Sequence, residues 1–124
     1  MAELLVDDAD LLLHLTRVQV AASFHRDIRV PLTAVRSVSA IESPWMALRG
    51  RRMAGSVLRG VVAMGTWTHS GGDFDFCILR GRDAAVQVDL NDGRFARYLV
   101  GTPDLATAQD QAARLAEAAG IRYG

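Results

Sequence analysis

The chain has 124 residues, of which 50% are apolar and 23% are charged, and its formal net charge is zero. This length is close to the commonest domain size and allows one hydrophobic core without metals or disulfides, so we expect a single domain over residues 1–124. A balanced charge excludes the general electrostatic attraction that basic domains have for nucleic acid, and any anion site would need a local cluster of arginines.

The cysteine content and the lengths of the apolar runs indicate the cellular compartment of the protein. Cys77 is the single cysteine, so no internal disulfide can form. No apolar run approaches the roughly 20 residues that cross a bilayer, and the first residues lack a basic leader. We therefore expect a cytoplasmic protein.

Short apolar runs predict strands in the first third of the chain. Residues 4–6 and 11–13 flank an aspartate-rich turn, which indicates a hairpin. Residues 18–24 are compatible with a brief helix or with a loop excursion, and both alternatives stay open. Residues 27–30 and 35–41 alternate in the manner of strands, so two further strands are expected.

The middle and the last third of the chain differ in their turn signals. Residues 43–60 contain a proline and several glycines without periodicity, and we interpret them as a long loop. Four strand-length runs follow at residues 61–69, 73–80, 84–90 and 94–100. Glycine and Asp-Gly turns separate these runs, so we expect a four-strand meander.

A helix is predicted at the C-terminal end. Thr102 is a suitable N-cap, Pro103 suits the first helical position, and Gly120 provides a stop. The apolar face that begins at Leu105 consists mostly of alanine. Such small side chains permit close approach, so the helix should lie tightly across an open end or corner of the sheet.

Several segments together resemble a group of uncharacterised bacterial pleckstrin-homology-like (PH-like) proteins that are common in actinobacteria. The segments are Val30-Pro31-Leu32-Thr33-Ala34-Val35, Leu48-Arg49-Gly50-Arg51-Arg52-Met53-Ala54-Gly55, Gly60, Gly65-Thr66, Phe74-Asp75-Phe76 and Thr102-Pro103-Asp104. The resemblance extends from about Asp27 to the terminal helix, with Ala54 at a position where members often have proline. It implies an α+β fold, a bent antiparallel sheet or partly open barrel of about seven strands capped by one C-terminal helix. It also implies the class of binding modules, but no particular substrate.

The main functional candidate is a segment rich in glycine and arginine. Glycine recurs at positions 50, 55, 60 and 65, and the chain has no acidic residue between positions 43 and 72. Glycines allow close backbone approach and arginine forks bind phosphate or carboxylate, so the candidate binding residues include Arg49, Arg51, Arg52 and Arg59. In the alternative interpretation the glycines allow strand bends, and the arginines are solvated or paired with Asp73, Asp75 and Asp89.

Two tryptophans are candidates for the lining of an apolar groove. Trp45 lies beside a proline in the expected loop, where a partner contact and a core position are both open, and it is the fifth candidate binding residue. Trp67 is central in an expected strand and is predicted to belong to the core.

For the remaining candidate functional residues, the sequence favours a structural role. A P-loop is excluded because Ser56 stands where the lysine after Gly55 is required. His14, His25 and His69 have no metal-ligand spacing, and Cys77 between two apolar residues is expected to be inert. The arginines of the meander are expected to form cross-strand pairs with nearby aspartates. We expect no cofactor, no metal and no catalytic residues.

The sequence thus leads to three hypotheses. The first is a non-enzymatic binding or scaffolding module that uses residues 45–60, or an open sheet edge, to contact a protein partner or another copy of itself. The second is peripheral binding of an anionic lipid headgroup or a phosphorylated metabolite by the arginines of residues 49–60. The third is an enzyme of unrecognised type, although no residue spacing in the sequence indicates a catalytic site. Binding to nucleic acid is not expected.

Overall fold

The computed structural model describes residues 3–23, 27–68, 72–91 and 93–121. Within these ranges the chain forms an α+β fold of two sheets and two α-helices. The elements are β1 (Glu3–Asp7), β2 (Asp10–His14), α1 (Arg17–Ser23), β3 (Ile28–Pro31), β4 (Val35–Ile41), β5 (Arg51–Leu58), β6 (Val62–Thr68), β7 (Phe74–Arg80), β8 (Ala84–Leu90), β9 (Arg97–Thr102) and α2 (Leu105–Ala119). Short 3-10 helices occupy Leu32–Ala34 and Pro44–Ala47.

The smaller sheet has the order β1-β2-β3, and both of its pairings are antiparallel. The predicted N-terminal hairpin is confirmed. Asp8 makes its turn with a φ of 57°, a conformation that aspartate tolerates better than most residues. Of the two alternatives for residues 18–24, the helix is found, as α1.

The larger sheet has the order β4-β8-β9-β7-β6-β5, which contradicts the expected four-strand meander. Strand β9 lies between β7 and β8, antiparallel to β8 and parallel to β7. Turn residues indicate where a chain reverses, but they do not determine whether the two flanking strands pair. Gly101 is suited to this insertion, because a Cβ there would lie 3.0 Å from the Ile78 carbonyl oxygen.

The interpretation of residues 43–60 as a loop is wrong from Arg51 onward, where the eight-residue strand β5 begins. β5 pairs with β6 and has a register irregularity between Arg52 and Ala54. Its side chains are exposed or half-buried, so the strand lacks the apolar alternation by which a half-buried strand is recognised. The predicted loop is correct for the segment that precedes β5 and for the turn at residues 59–60 that follows it.

Each face of the larger sheet has its own apolar cluster. The main core joins one face to the smaller sheet and to α2, through residues such as Leu11, Phe76, Val88 and Ala112. On the opposite face, which we call the outer face, a smaller cluster contains Ala63, Trp67, Cys77, Leu79, Ala85 and Leu99. The core position predicted for Trp67 is confirmed, with 5% of the residue exposed.

Helix α2 packs on β4 and β8 and buries Ala108, Ala112, Leu115 and Ala116. The prediction of Thr102 as its N-cap is wrong, because Thr102 ends β9. Asp104 is the cap instead, and its Oδ1 accepts a hydrogen bond of 2.7 Å from the Thr107 amide. Gly120 ends the helix with a φ of 69°, as predicted.

The general architecture expected from the resemblance is found, but its details differ. The sheets are mostly antiparallel, and the C-terminal helix packs on the larger one. The described residues contain more strands than the expected count, as well as the additional helix α1, and they form no closed barrel. Over the same residues, no helix combines the length and the apolar character required to cross a membrane.

Candidate binding surface at the edge of the larger sheet

A short segment crosses the outer face of the larger sheet before β5 begins. This covering segment, residues 44–49, packs Trp45, Ala47 and Leu48 against the smaller apolar cluster. The Trp45 indole Nε1 donates to the Gly81 carbonyl oxygen at 2.8 Å. Arg97 Nη1 donates to the Ala47 carbonyl oxygen at 3.4 Å. Polar contacts and apolar packing therefore both hold the segment against the sheet.

Arg49, at the end of the covering segment, forms a bidentate ion pair with Asp75. Its Nε and Nη2 atoms each lie 2.7 Å from a different carboxylate oxygen. The Asp75 side chain is only 1% exposed, and the hydrogen bonds to Asp75 raise the pKa of Arg49. For Arg49, the alternative interpretation, pairing with an aspartate, is therefore the one observed.

A second ion pair lies beside the first on the outer face. Arg97 Nε is 2.7 Å from Asp89 Oδ1, across the β8–β9 ladder. Ser37 and Gln87 donate to the other Asp89 oxygen, each at 3.1 Å. Burial acts to raise the pKa of Asp89, but the hydrogen bond and charge of Arg97 outweigh burial and lower it. The cross-strand pairing predicted for the arginines of the meander is confirmed at this position.

The other four candidate residues line one groove, which we call the arginine groove. It has a volume of about 350 Å³ and is lined by Trp45, Leu48, Gly50, Arg51, Arg52, Val57, Arg59 and Trp67. The side chain of Arg49 lies elsewhere, at a polar cavity of about 470 Å³ that also contains Arg36, Asp73, Asp89 and Arg94. The structure thus brings Trp45, Arg51, Arg52 and Arg59 together and separates Arg49 from them.

The arginines of the groove are exposed and carry uncompensated charge. Within the described ranges, no carboxylate forms an ion pair with Arg51, Arg52 or Arg59. Among the described residues, the side chains of this trio make one hydrogen bond, a long one from Arg52 Nη1 to the Gly55 carbonyl oxygen at 3.5 Å. Because the surrounding sequence also lacks acidic residues, the groove has a positively charged rim.

Strand β5 forms the edge of the larger sheet beside this groove. In the described part of the chain, β6 is its single ladder partner. Met53 and Leu58 on β5 are each 61% exposed, and Met46 in the covering segment is 88% exposed. An edge strand with unpaired backbone groups and exposed apolar side chains is a template for another strand.

The glycine repeat is explained by backbone geometry. Gly55 and Gly65 face each other in the β5–β6 ladder with φ values of 117° and 141°. A Cβ on Gly55 would lie 2.0 Å from the Met64 carbonyl oxygen. Gly60 has a φ of 81° in the turn between the strands, with nothing near its missing Cβ. The glycines therefore permit strand approach and a turn, as the alternative interpretation expected.

The candidates for metal binding and for nucleophilic chemistry are placed as follows. His14 Nδ1 lies 2.8 Å from Asp27 Oδ2, whereas His25 and His69 lie outside the described residues. Within the described ranges, no group of three or more His, Cys, Asp or Glu side chains could hold a metal ion. Cys77 is buried, which raises its thiol pKa, and its Sγ lies 3.6 Å from the Ala63 carbonyl oxygen.

The sequence did not predict that β5 is a strand at the edge of the larger sheet. This position brings the arginines together on the protein surface. The available signal was the apolar pair Val57-Leu58 shortly before a glycine turn, since apolar residues that include a β-branched one are typical of a strand end at such a turn.

Comparisons with known proteins identified no relative of this chain. No protein-family model matches the chain, and neither the curated proteins nor the solved structures gave a match.

Proposed function

We propose that this chain is a non-enzymatic binding or scaffolding module of the PH-like type, and that its site is the edge of β5 together with the arginine groove. One observation carries the proposal. An eight-residue edge strand presents exposed apolar side chains beside three arginines that have no carboxylate partner among the described residues. The two sheets and the C-terminal helix support the PH-like type, although the insertion of β9 departs from a plain meander.

The ligand that fits this site best is an extended segment of polypeptide. Such a segment would add to the sheet as a strand along β5, with main-chain hydrogen bonds providing affinity. Side chains of an added strand alternate between the two faces of the sheet. Acidic side chains on the outer face would meet the arginines that line the groove beside Trp45 and Val57. Apolar side chains on the opposite face would contact the exposed Leu58. A cytoplasmic location remains a prediction from the sequence.

A labelled peptide of alternating glutamate and valine is a suitable probe, with a lysine–valine peptide of equal length as its counterpart. We expect fluorescence anisotropy to show binding of the acidic peptide alone, and the binding should weaken as salt is added. Hydrogen exchange should slow at β5 in the same complex, because its free amides become bonded to the peptide.

Charge reversal provides the matched control for this experiment. The double variant Arg51→Glu/Arg59→Glu should lose binding by tenfold or more, since about 1.4 kcal/mol corresponds to a factor of ten. The double variant Arg36→Glu/Arg82→Glu has the same net charge, but its changes lie on β4 and in the β7–β8 turn. Equal loss in both variants, or no binding by the wild-type chain, would contradict the proposal.

A second candidate function is the recognition of an anionic lipid headgroup or a phosphorylated metabolite. The supporting observation is that Arg51, Arg52 and Arg59 surround a single groove whose volume is in the range of small-ligand sites. Arg49 is excluded from this role by its pairing with Asp75. Sedimentation with phosphatidylserine vesicles, compared with phosphatidylcholine vesicles, tests it. Salt-sensitive binding to the acidic vesicles, lost in Arg51→Glu/Arg59→Glu, would favour this function over peptide binding.

A further inference from the structure

We infer that the segment received by β5 is strand β1 of a second copy of this chain, so that copies join head to tail. This inference rests on the proposed function of β5 and names its occupant.

Strand β1 has the properties required of an added strand. It is an edge strand of the smaller sheet and, within the described part of the chain, its single ladder partner is β2. Leu5 and Val6 in its centre are 40% and 46% exposed. β1 therefore combines a free backbone edge with apolar side chains that the fold leaves in contact with solvent.

The charges of the two edges are complementary along their lengths. β1 begins with Glu3 and ends with Asp7, followed by Asp8 in the turn. β5 begins with Arg51 and Arg52, and Arg59 follows its last residue. Each edge thus has an apolar centre between charged ends, acidic on β1 and basic on β5. Opposite charges at facing positions stabilise paired strands.

The surroundings of β1 offset part of its acidic charge but do not remove it. Arg29 pairs with Asp7 at 2.8 Å and with Asp10 at 3.2 Å, in an exposed arrangement that water weakens. A cavity lies between β1 and α2, and Gln111 and Arg114 of α2 line it. Arg114 is paired with Asp110. Arg114 is therefore engaged within its own helix, whereas Arg29 offsets part of the charge of Asp7 and Asp10. Glu3 and Asp8 form no ion pair among the described residues, so the two ends of β1 stay acidic.

The same charges disfavour symmetric pairing. If two β5 strands paired antiparallel across a two-fold axis, the basic start of each would face the basic end of the other. Two β1 strands would meet with acid facing acid in the same way. Like charges at facing positions destabilise a sheet, so the favoured contact joins different surfaces of the two copies. Such a contact produces a closed ring of copies if the rotation between them closes, and an open chain if it does not.

A charge-swap experiment tests this inference. The β5 variant, Arg51→Glu/Arg59→Glu, has two acidic edges, and the β1 variant, Glu3→Arg/Asp7→Arg, has two basic edges. We expect untagged wild-type chain to assemble with increasing concentration in light scattering, whereas each variant alone stays at the mass of one chain. Mixing the two variants should restore assembly at a ratio of one to one, because each joint then has opposite charges.

Controls separate a failure of this inference from a failure of the proposed function. Circular dichroism and thermal melting must first show that both variants are folded. The variant with all four reversals should again assemble by itself, which a misfolded edge would not do. Hydrogen exchange should slow at residues 3–7 and 51–58 on assembly.

Three results would overturn the inference. They are a wild-type chain that stays monomeric at about 1 mM, assembly of the β5 variant alone, or a mixture of variants that does not assemble. If the wild-type chain is monomeric but still binds the glutamate–valine peptide at β5, the occupant is wrong and the proposed function stands. If the peptide also fails to bind, both are wrong.

Discussion

The bidentate pair of Arg49 and Asp75 provides the sharpest test of how the covering segment is held on the sheet. The change Arg49→Ala removes two hydrogen bonds of 2.7 Å from a carboxylate that is 1% exposed. Breaking a buried pair by removing one partner costs about 3–5 kcal/mol. The Arg49 side chain is 36% exposed and Asp75 has further interactions, so we expect the lower end of this range, about 3 kcal/mol.

This loss translates into a measurable shift in melting temperature. At about 2.1 cal/mol/K per residue, a chain of 124 residues has an unfolding entropy of about 260 cal/mol/K. A loss of about 3 kcal/mol therefore corresponds to a decrease in Tm of about 11 °C. Differential scanning calorimetry of the purified variant measures the shift directly.

Arg51→Ala is the matched control, because Arg51 is a nearby exposed arginine without an ion pair among the described residues. Its Tm should change by no more than about 2 °C, since exposed substitutions cost at most about 0.5 kcal/mol. The joint change Arg49→Met/Asp75→Leu should cost less than Arg49→Ala, because no buried carboxylate remains without its arginine. If Arg49→Ala and Arg51→Ala lower the Tm equally, the pair does not stabilise the fold and our reasoning is refuted.

Three further predictions concern other parts of the fold. Gly65→Ala should lower the free energy of unfolding, measured in urea, at least three times as much as Gly60→Ala. A Cβ on residue 65 would lie 2.1 Å from the Ala54 carbonyl oxygen, whereas residue 60 has only the strain of its positive φ, about 1 kcal/mol. Equal losses would contradict the close approach of β5 and β6. The Leu15 amide and the His14 side chain lower the pKa of Asp27, so its stabilising effect is present above about pH 4 and is lost as the pH falls through the lowered pKa. The difference in Tm between wild type and Asp27→Asn should therefore be largest near pH 6 and shrink in acid, and a constant difference would exclude this effect. Burial and the raised thiol pKa should make Cys77 unreactive towards Ellman's reagent in the folded chain and reactive in guanidinium chloride, and rapid native labelling would show that the outer face opens.

The sequence predicted those elements that depend on local signals. Alternation located β4 with the boundaries observed, and turn residues located the N-terminal hairpin and the bounds of β8. Gly120 correctly marked the end of α2 because only a residue that readily adopts positive φ suits that position. The N-cap was placed two residues early, since Thr102 and Asp104 are both good caps, and only the extent of β9 decides between them.

The errors concern contacts between residues that are distant in sequence. The position of β9 between β7 and β8 depends on which ladder buries more apolar surface, and turn chemistry contains no information on this point. β5 was missed because its side chains are exposed or only half-buried, so its sequence lacks the apolar alternation of a half-buried strand. Four of the five candidate residues line one groove, and their role in binding stays a prediction. Arg49 lies apart, because its partner Asp75, which is 26 residues away, could only be offered as an alternative.

The insertion of β9 also constrains how the chain can fold. β7 and β8 are adjacent in sequence but cannot complete the sheet together, because the space between them belongs to a strand that is synthesised later. Within the described ranges β4 likewise pairs with β8 alone, more than forty residues downstream, so the larger sheet is dominated by non-local contacts that form slowly. A chain ending before residue 97 would leave β7 and β8 with unsatisfied edges and an incomplete core, so we expect it to aggregate instead of folding in part. The last quarter of the chain therefore acts as the closing piece of the fold, and on the ribosome the larger sheet would stay incomplete until this quarter has emerged.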